Sequence, residues 1–145
     1  MAKENSRLME IMFDTSAANR GKVSGTDLSA DTYSSIINTH GAKGGVFWLK
    51  VTAVSTGDTV DVTLEGLDQQ TGDWTALAAA VGGDRDYAFP QISAAGSDQL
   101  TVYPGLTGVN NTTINGVLPE VIRAKADVTG SDVNIDLTLN VELIK

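Results

Sequence analysis

The sequence contains no cysteine, a single histidine (His40) and three prolines. Without cysteine the chain can form neither disulfides nor thiolate metal sites, and it has no cysteine nucleophile. One histidine without cysteine cannot build a zinc site of the usual kind. No apolar run approaches the roughly 20 residues that a membrane-spanning helix needs, and the N-terminus lacks a signal-peptide pattern. We therefore expect a soluble protein that is not secreted by that route and has no membrane partner.

Positive charge is scarce outside the N-terminal end. The 145 residues carry a formal net charge of −8 at pH 7. Residues 1–22 contain four bases and three acids, whereas the remaining 123 residues contain six bases and fifteen acids. An acidic body repels phosphate backbones, so we expect no nucleic-acid partner. The length suits one domain with one core.

The main pattern in the sequence is the alternation of apolar and polar residues. In residues 133–143 six apolar side chains occupy every second position, which is the period of a strand with one buried face. About eight strand patterns and no long helix predict an all-β fold, an antiparallel β-sandwich of the jelly-roll type. The patterns lie in residues 33–38, 46–54, 59–66, 74–80, 87–92, 99–103, 121–128 and 133–143.

Two short connections have turn chemistry. Residues 55–58 contain Thr56-Gly57-Asp58, and residues 129–132 contain Gly130. Each is expected to close an antiparallel hairpin between the strands on either side of it. In the strand at 46–54, one face is expected to carry Phe47, Leu49, Val51 and Ala53. In the strand at 59–66, Val60, Val62 and Leu64 are expected to point inward. Residues 106–117 are expected to form a long loop without regular structure.

Residues 1–30 differ in composition from the predicted sandwich domain at 31–145. Asn5 is placed to cap a short helix in which Leu8, Ile11 and Met12 share a face. The polar, small residues that follow are typical of an extended arm that is ordered by a neighbouring subunit. A frayed terminus or an edge strand of the same sheet are the alternatives. For an arm, the expected contact residues are Leu8, Ile11, Met12 and Phe13.

No catalytic, cofactor or metal residue is predicted. His40 lies in a glycine-rich stretch, and no serine occupies a G-x-S-x-G elbow. Loop aspartates can gather around calcium, but no twelve-residue calcium loop is present, and such residues more often terminate turns. Gly41–Gly45 lacks the Lys-Ser/Thr of a phosphate loop. The loop aspartates are Asp58, Asp61, Asp68, Asp73, Asp84 and Asp86.

Four aromatic residues are candidates for binding. If Trp48, Trp74, Tyr87 and Tyr103 were exposed together, they would form a sugar-binding surface. Tyrosine and tryptophan more often fill a core or a subunit interface, where they are over-represented. We therefore expect Trp48, Trp74 and Tyr103 to act as interface aromatics.

Several strings occur along the chain in a particular order, ending with Tyr103-Pro104-Gly105-Leu106 and with Leu118-Pro119 followed by Arg123. Together they resemble a family of small structural proteins of tailed bacteriophages, over residues from about 29 to 144. The earlier strings are Val51-Thr52-Ala53-Val54, Leu64-Glu65-Gly66-Leu67-Asp68, Thr71-Gly72-Asp73-Trp74 and Leu100-Thr101-Val102.

The resemblance implies a capsid decoration, or cement, protein of the virion exterior. Such a protein is a β-sandwich, often jelly-roll and often trimeric, that clamps major capsid subunits. The implied partners are the major capsid protein and the chain itself in a homotrimer, with no cofactor and no enzymatic activity. Residues 1–30 have little counterpart in that family. A carbohydrate- or receptor-binding module is the alternative function.

Overall fold

A computed structural model of the chain describes residues 6–11, 13–14, 32–54, 56–77, 87–109, 112–130 and 135–145. For residues up to 32 it describes the backbone alone. Within these ranges the protein is all-β, with eleven strands in two sheets that pack against each other. The predicted β-sandwich is therefore confirmed, while its assignment to the jelly-roll type stays a prediction. None of the described residues belongs to a helix that could cross a membrane.

The strands of the two sheets alternate along the chain, so that neither sheet is formed by one continuous segment. Sheet A has five strands and sheet B has six, and every pairing is antiparallel except that of the last two strands of sheet A. Sheet A consists, in spatial order, of β1 (Ser6–Ile11), β11 (Ile135–Ile144), β5 (Gly44–Val54), β8 (Gly96–Tyr103) and β9 (Thr113–Asn115). Sheet B consists of β2 (Phe13–Asp14), β3 (Thr32–Ser34), β10 (Val121–Thr129), β6 (Thr59–Leu67) and β7 (Trp74–Ala76), with β4 (Ile37–Asn38) also paired to β10.

The alternating residues form one core between the sheets. Strand β11 alternates buried and half-exposed residues along its whole length, and β6 and β10 do so along most of theirs. Full burial of one such aliphatic side chain contributes roughly 1.5–3 kcal/mol. The core also includes aromatic residues of β5 and of the segment after β7. Its largest fully buried side chains are Phe47, Leu49, Leu64, Leu100, Ile114, Ile122, Ile135, Leu137 and Leu139.

Both predicted hairpins are wrong. Strand β5 pairs with β11 and β8 in sheet A, whereas β6 pairs with β10 and β7 in sheet B. Likewise β10 and β11 lie in different sheets. The chain therefore passes from one sheet to the facing sheet between β5 and β6, and again between β10 and β11. Turn residues in the sequence cannot distinguish a hairpin within one sheet from a connection between two sheets, because both arrangements bury the same apolar faces.

The prediction that Ala53 shares a face with Phe47, Leu49 and Val51 is also wrong. The register between β11 and β5 shifts between Asp136 and Leu137, so that Thr52 is an extra residue on β5. This β-bulge interrupts the alternation: Val51 is buried, Ala53 is exposed, and Val54 packs against the core. The extra residue of a bulge shifts the alternation of inward and outward side chains by one residue, which explains why Ala53 points outward.

The predicted loop at 106–117 contains a strand. Residues Thr113–Asn115 form β9, which pairs in parallel with Thr101–Tyr103, and Ile114 is fully buried. A strand of three residues shows too little alternation to be recognised from sequence. The predicted edge segment at 87–92 does lie beside β6, through bridges at Ala88 and Ile92.

The short helix expected near the N-terminus is wrong, since Ser6–Ile11 is a strand. All six of its residues pair with β11, from Ser6 with Ile144 to Ile11 with Leu139. Two residues later, Phe13 and Asp14 pair with β3 in the other sheet. The N-terminal segment therefore adds an edge strand to sheet A and then one to sheet B. Residues 15–30, for which a frayed terminus or an edge strand is the alternative to an arm, lie outside the described residues. The division into an arm at 1–30 and a domain at 31–145 stays a prediction.

The sheet assignment predicts which engineered cysteine pairs can form disulfides. Lys50 lies opposite Thr138 on neighbouring strands, and such pairs have Cα atoms about 4.5–5.5 Å apart, within the range for a disulfide. The double variant Lys50→Cys/Thr138→Cys should therefore form an intramolecular disulfide on oxidation. Mass spectrometry under non-reducing conditions measures it, and the cysteine-free background excludes other bridges.

The matched control is Lys50→Cys/Thr63→Cys. These residues would face each other if β5 and β6 formed a hairpin, but they lie on different sheets, which are about 10 Å apart. The control should keep two free thiols in the monomer. An intramolecular bridge in the control and none in the first variant would contradict the sheet assignment.

Candidate binding surface

A group of partly exposed side chains that contact one another lies on the outer face of sheet B. Tyr33, Arg123, Glu65 and Trp74 come from β3, β10, β6 and β7, respectively, and we call them the Arg123 cluster. Arg123 and Glu65 are directly paired across β10 and β6. Both alternate with buried neighbours, so the pleat directs them away from the core.

Arg123 is held between two aromatic rings and a carboxylate. Its Cζ atom lies 4.0 Å from the centre of the Tyr33 ring and 4.3 Å from the centre of the Trp74 ring. Its Nε–H group donates to Oε1 of Glu65 at 2.7 Å. Cation–π contacts and a charge-assisted hydrogen bond thus fix the guanidinium from three directions.

A local irregularity places Tyr33 beside Arg123. Strands β3 and β4 both pair with β10, but their registers differ by one residue between Tyr33 and Ile37. Where the ladder is interrupted, the hydroxyl of Ser34 accepts the Ala124 N–H at 2.8 Å and donates to the Ser35 carbonyl at 2.9 Å. The buried Ser34 thereby replaces the missing backbone partner and keeps β3 against β10.

A tight turn places Trp74 at the other side of the cluster. The Asp68 carboxylate accepts the N–H groups of Gln70 and Thr71 at 2.9 and 3.3 Å. Gly72, at φ 82°, donates its N–H to the Asp68 carbonyl at 2.7 Å. Left-handed backbone is readily adopted by glycine, as its place in this turn predicts. The turn brings Trp74 opposite Leu67 at the start of β7.

The other two expected interface aromatics lie on the opposite outer face. Trp48 is 43% exposed on β5, between Asn140 of β11 and Gln99 of β8. Tyr103 is half-buried at the end of β8, where its ring lies against Gly44. Trp74 is therefore separated from Trp48 and Tyr103 by the whole sandwich. The aromatic residues do not form one shared surface.

Tyr87 belongs to the core. It is 4% exposed, and its hydroxyl donates to the Val117 carbonyl at 2.9 Å. Burial raises the pKa of Tyr87 above its usual value of 10. A Cβ atom on Gly116 would overlap the Tyr87 hydroxyl, so this close approach requires glycine. Tyr87 thus fixes the segment after β9 against sheet B.

The remaining polar candidates lie apart. His40 is exposed in a turn at φ 51°, with its N–H donating to the Asn38 side chain. Asp58 is buried at the turn between β5 and β6, and its Oδ2 atom has no hydrogen-bond partner among the described residues. In the described ranges no three histidine or acidic side chains come together as metal ligands. Asp84 and Asp86 lie outside those ranges.

The expected arm contacts cannot be placed as side chains. Leu8 and Ile11 lie on β1 and Phe13 on β2, where only the backbone is described, and Met12 lies outside the described residues. Comparison of the chain with protein-family models, curated proteins and solved structures found no match.

The contact between Tyr87 and Gly116 predicts a coupled effect on stability. Gly116→Ala should lower the free energy of unfolding by about 2–4 kcal/mol, because the new methyl group displaces the hydroxyl. Tyr87→Phe should cost about 1 kcal/mol for the lost hydrogen bond. In the double variant the effect of Gly116→Ala should be smaller, since the overlapping atom is absent. Urea unfolding measures all three.

Gly96→Ala is the matched control, because no atom lies within 4 Å of the Cβ position at Gly96. It should change the stability by about 0.5 kcal/mol or less. Additive effects of Gly116→Ala and Tyr87→Phe would contradict the contact.

The Asp68 turn predicts a pH dependence. Hydrogen bonds from the backbone N–H groups of Gln70 and Thr71 hold the pKa of Asp68 below its usual 3.8. The ionised carboxylate therefore stabilises the fold above about pH 4, and this contribution is lost as the pH falls through the lowered value. Wild type should be more stable than Asp68→Asn at pH 7, and the difference should disappear in strong acid. Urea unfolding at several pH values measures this.

Gln70→Ala is the control, because it keeps the backbone N–H group. Its stability relative to wild type should not vary across the same pH range. NMR titration of the Asp68 carboxyl carbon checks the pKa directly, and a midpoint at or above 3.8 would contradict the prediction.

Proposed function

We propose that the protein is a structural component of a phage head, a capsid decoration protein that binds the outside of the shell and bridges major capsid subunits. It acts as a homotrimer, without a cofactor and without catalysis. Binding occurs through outer surfaces of the sandwich, and the N-terminal segment contributes further contacts to the neighbouring subunits.

The Arg123 cluster is the observation that carries this proposal. It is a rigid, partly exposed group of tyrosine, tryptophan and arginine on a flat sheet face, which is the composition of a protein-binding surface. The resemblance of the strings between residues 51 and 123 to cement proteins supplies the kind of partner. A decoration protein needs a stable body and contacts to several neighbours, and a two-sheet core leaves both outer faces available for them.

Binding of carbohydrate or of a cell-surface receptor is the second candidate. Trp48 favours it, because its exposed indole lies between the amide-bearing residues Asn140 and Gln99 on neighbouring strands. An aromatic face beside hydrogen-bonding amides suits a sugar ring. A glycan array separates the candidates, since a decoration protein should give no signal there.

Co-sedimentation with shells tests the proposal. The purified chain is mixed with shells assembled from the major capsid protein encoded in the same genome. We expect saturable binding at a fixed ratio to capsid subunits and a higher temperature of shell disruption. Shells of an unrelated phage are the control.

Analytical ultracentrifugation of the free protein should give three times the 15.2 kDa chain mass. Absence of saturable binding, or a genome without a capsid protein, would overturn the proposal.

A further inference from the structure

We propose that the Arg123 cluster binds the carboxylate of an acidic side chain on a partner protein. The inference rests on the proposed function, under which the partner is the major capsid protein. It gives a specific task to one arginine and two aromatic residues that the sandwich core does not require.

The Arg123 side chain retains unused donors. Its Nε–H group is bonded to Glu65, whereas neither Nη atom has a hydrogen-bond or ion-pair partner in the part of the chain that the structure describes. The side chain is 20% exposed, so part of it is accessible to a partner. Tyr33 is 38% exposed next to it.

A carboxylate is the ligand that fits these unused donors. The two Nη groups of a guanidinium can donate parallel hydrogen bonds to the two oxygens of one carboxylate. The aromatic rings and Glu65 already hold the guanidinium in place. Binding therefore restricts few additional rotatable bonds and costs little conformational entropy. A nucleic-acid backbone is a poorer fit, because a chain with a net charge of −8 repels a row of phosphates more strongly than it repels a single carboxylate.

The local charges permit an acidic partner despite the acidic chain. Lys125 follows two residues later on the same face of β10, 5.9 Å from the centre of the Tyr33 ring. Its ammonium is paired with Asp127 at 3.1 Å, as Arg123 is paired with Glu65. The formal charges of these four residues cancel, so together they add no net repulsion to an approaching carboxylate.

The rings favour a protein carboxylate over that of an acidic sugar. Sugars stack on open aromatic faces, but the guanidinium covers one face of Tyr33 and one face of Trp74. Tyrosine, tryptophan and arginine are also residue types enriched among those that dominate the energy of protein interfaces. Apolar residues next to the partner's aspartate or glutamate can also contact the edges of the Tyr33 and Trp74 rings.

A peptide titration tests the site without shells. Arginine side-chain and aromatic NMR signals of the full chain are followed while acetyl-Gly-Glu-Gly-amide is added, with the glutamine peptide as the matched control. The glutamate peptide should shift the signals of Arg123, Tyr33 and Trp74 saturably, with a Kd on the order of 1–10 mM. No saturable shift, or equal shifts with the glutamine peptide, would overturn the proposal. Glucuronate that binds tighter than the peptide would replace the protein carboxylate by a sugar one.

Variants then connect the site to the shell. Arg123→Lys keeps the charge but loses the paired donors, and should weaken shell binding at least about tenfold. Lys43→Gln, in the exposed loop before β5 and outside the strands of both sheets, is the control and should bind normally. Thermal unfolding of each variant confirms that the fold persists. If Arg123→Lys unfolds, Trp74→Ala serves instead, because it removes one of the two rings that hold the guanidinium and should weaken shell binding in the same direction.

The two proposals can fail separately. Peptide binding without shell binding would retain the carboxylate site and reject the decoration function. Shell binding that is unaffected in Arg123→Lys, together with a silent peptide titration, would reject the site and retain the function.

Discussion

The structure depends on one constraint, the burial of apolar side chains between two sheets. Consecutive long strands of the chain lie in opposite sheets. Strand β5 pairs with β11 and β6 pairs with β10, while each of the two short turns joins opposite sheets. The paired residues are far apart in sequence, as Phe47 and Val141 are. Neither sheet can therefore form from local contacts alone, and the core requires both.

Much of the fold could be predicted because strand alternation is a local property. The alternation in β11, and the inward positions of Val60, Val62 and Leu64, are confirmed. The partners of each strand could not be predicted, since a reversal at Gly57 suits a hairpin and a crossing between sheets equally. The bulge at Thr52 could not be predicted for a related reason. One extra residue among the small and β-branched side chains of Val51–Val54 gives no local signal, although it reverses the position of Ala53.

The Arg123 cluster illustrates what sequence reasoning could not assemble. Tyr33, Glu65, Trp74 and Arg123 are separated by up to 90 residues and meet only because four strands are neighbours in sheet B. The sequence did mark Trp74 as an interface residue and Arg123 as part of a family-like string. The register of β3 and β7 could not be predicted from the sequence. It depends on the hydroxyl of Ser34 and on the turn that begins at Asp68.

Folding of sheet B therefore also orders the side chains of the proposed binding surface. The cluster lies on strands, which position side chains more rigidly than loops do, and most of its ordering is completed when the sheet forms. Two of its four members, Tyr33 and Trp74, lie on the short strands β3 and β7, which have few backbone pairs of their own. Loosening of either strand would release one ring from the guanidinium while the core residues on β10 stayed buried. The outer strands of sheet B thus control the shape of the binding surface more than the stability of the domain.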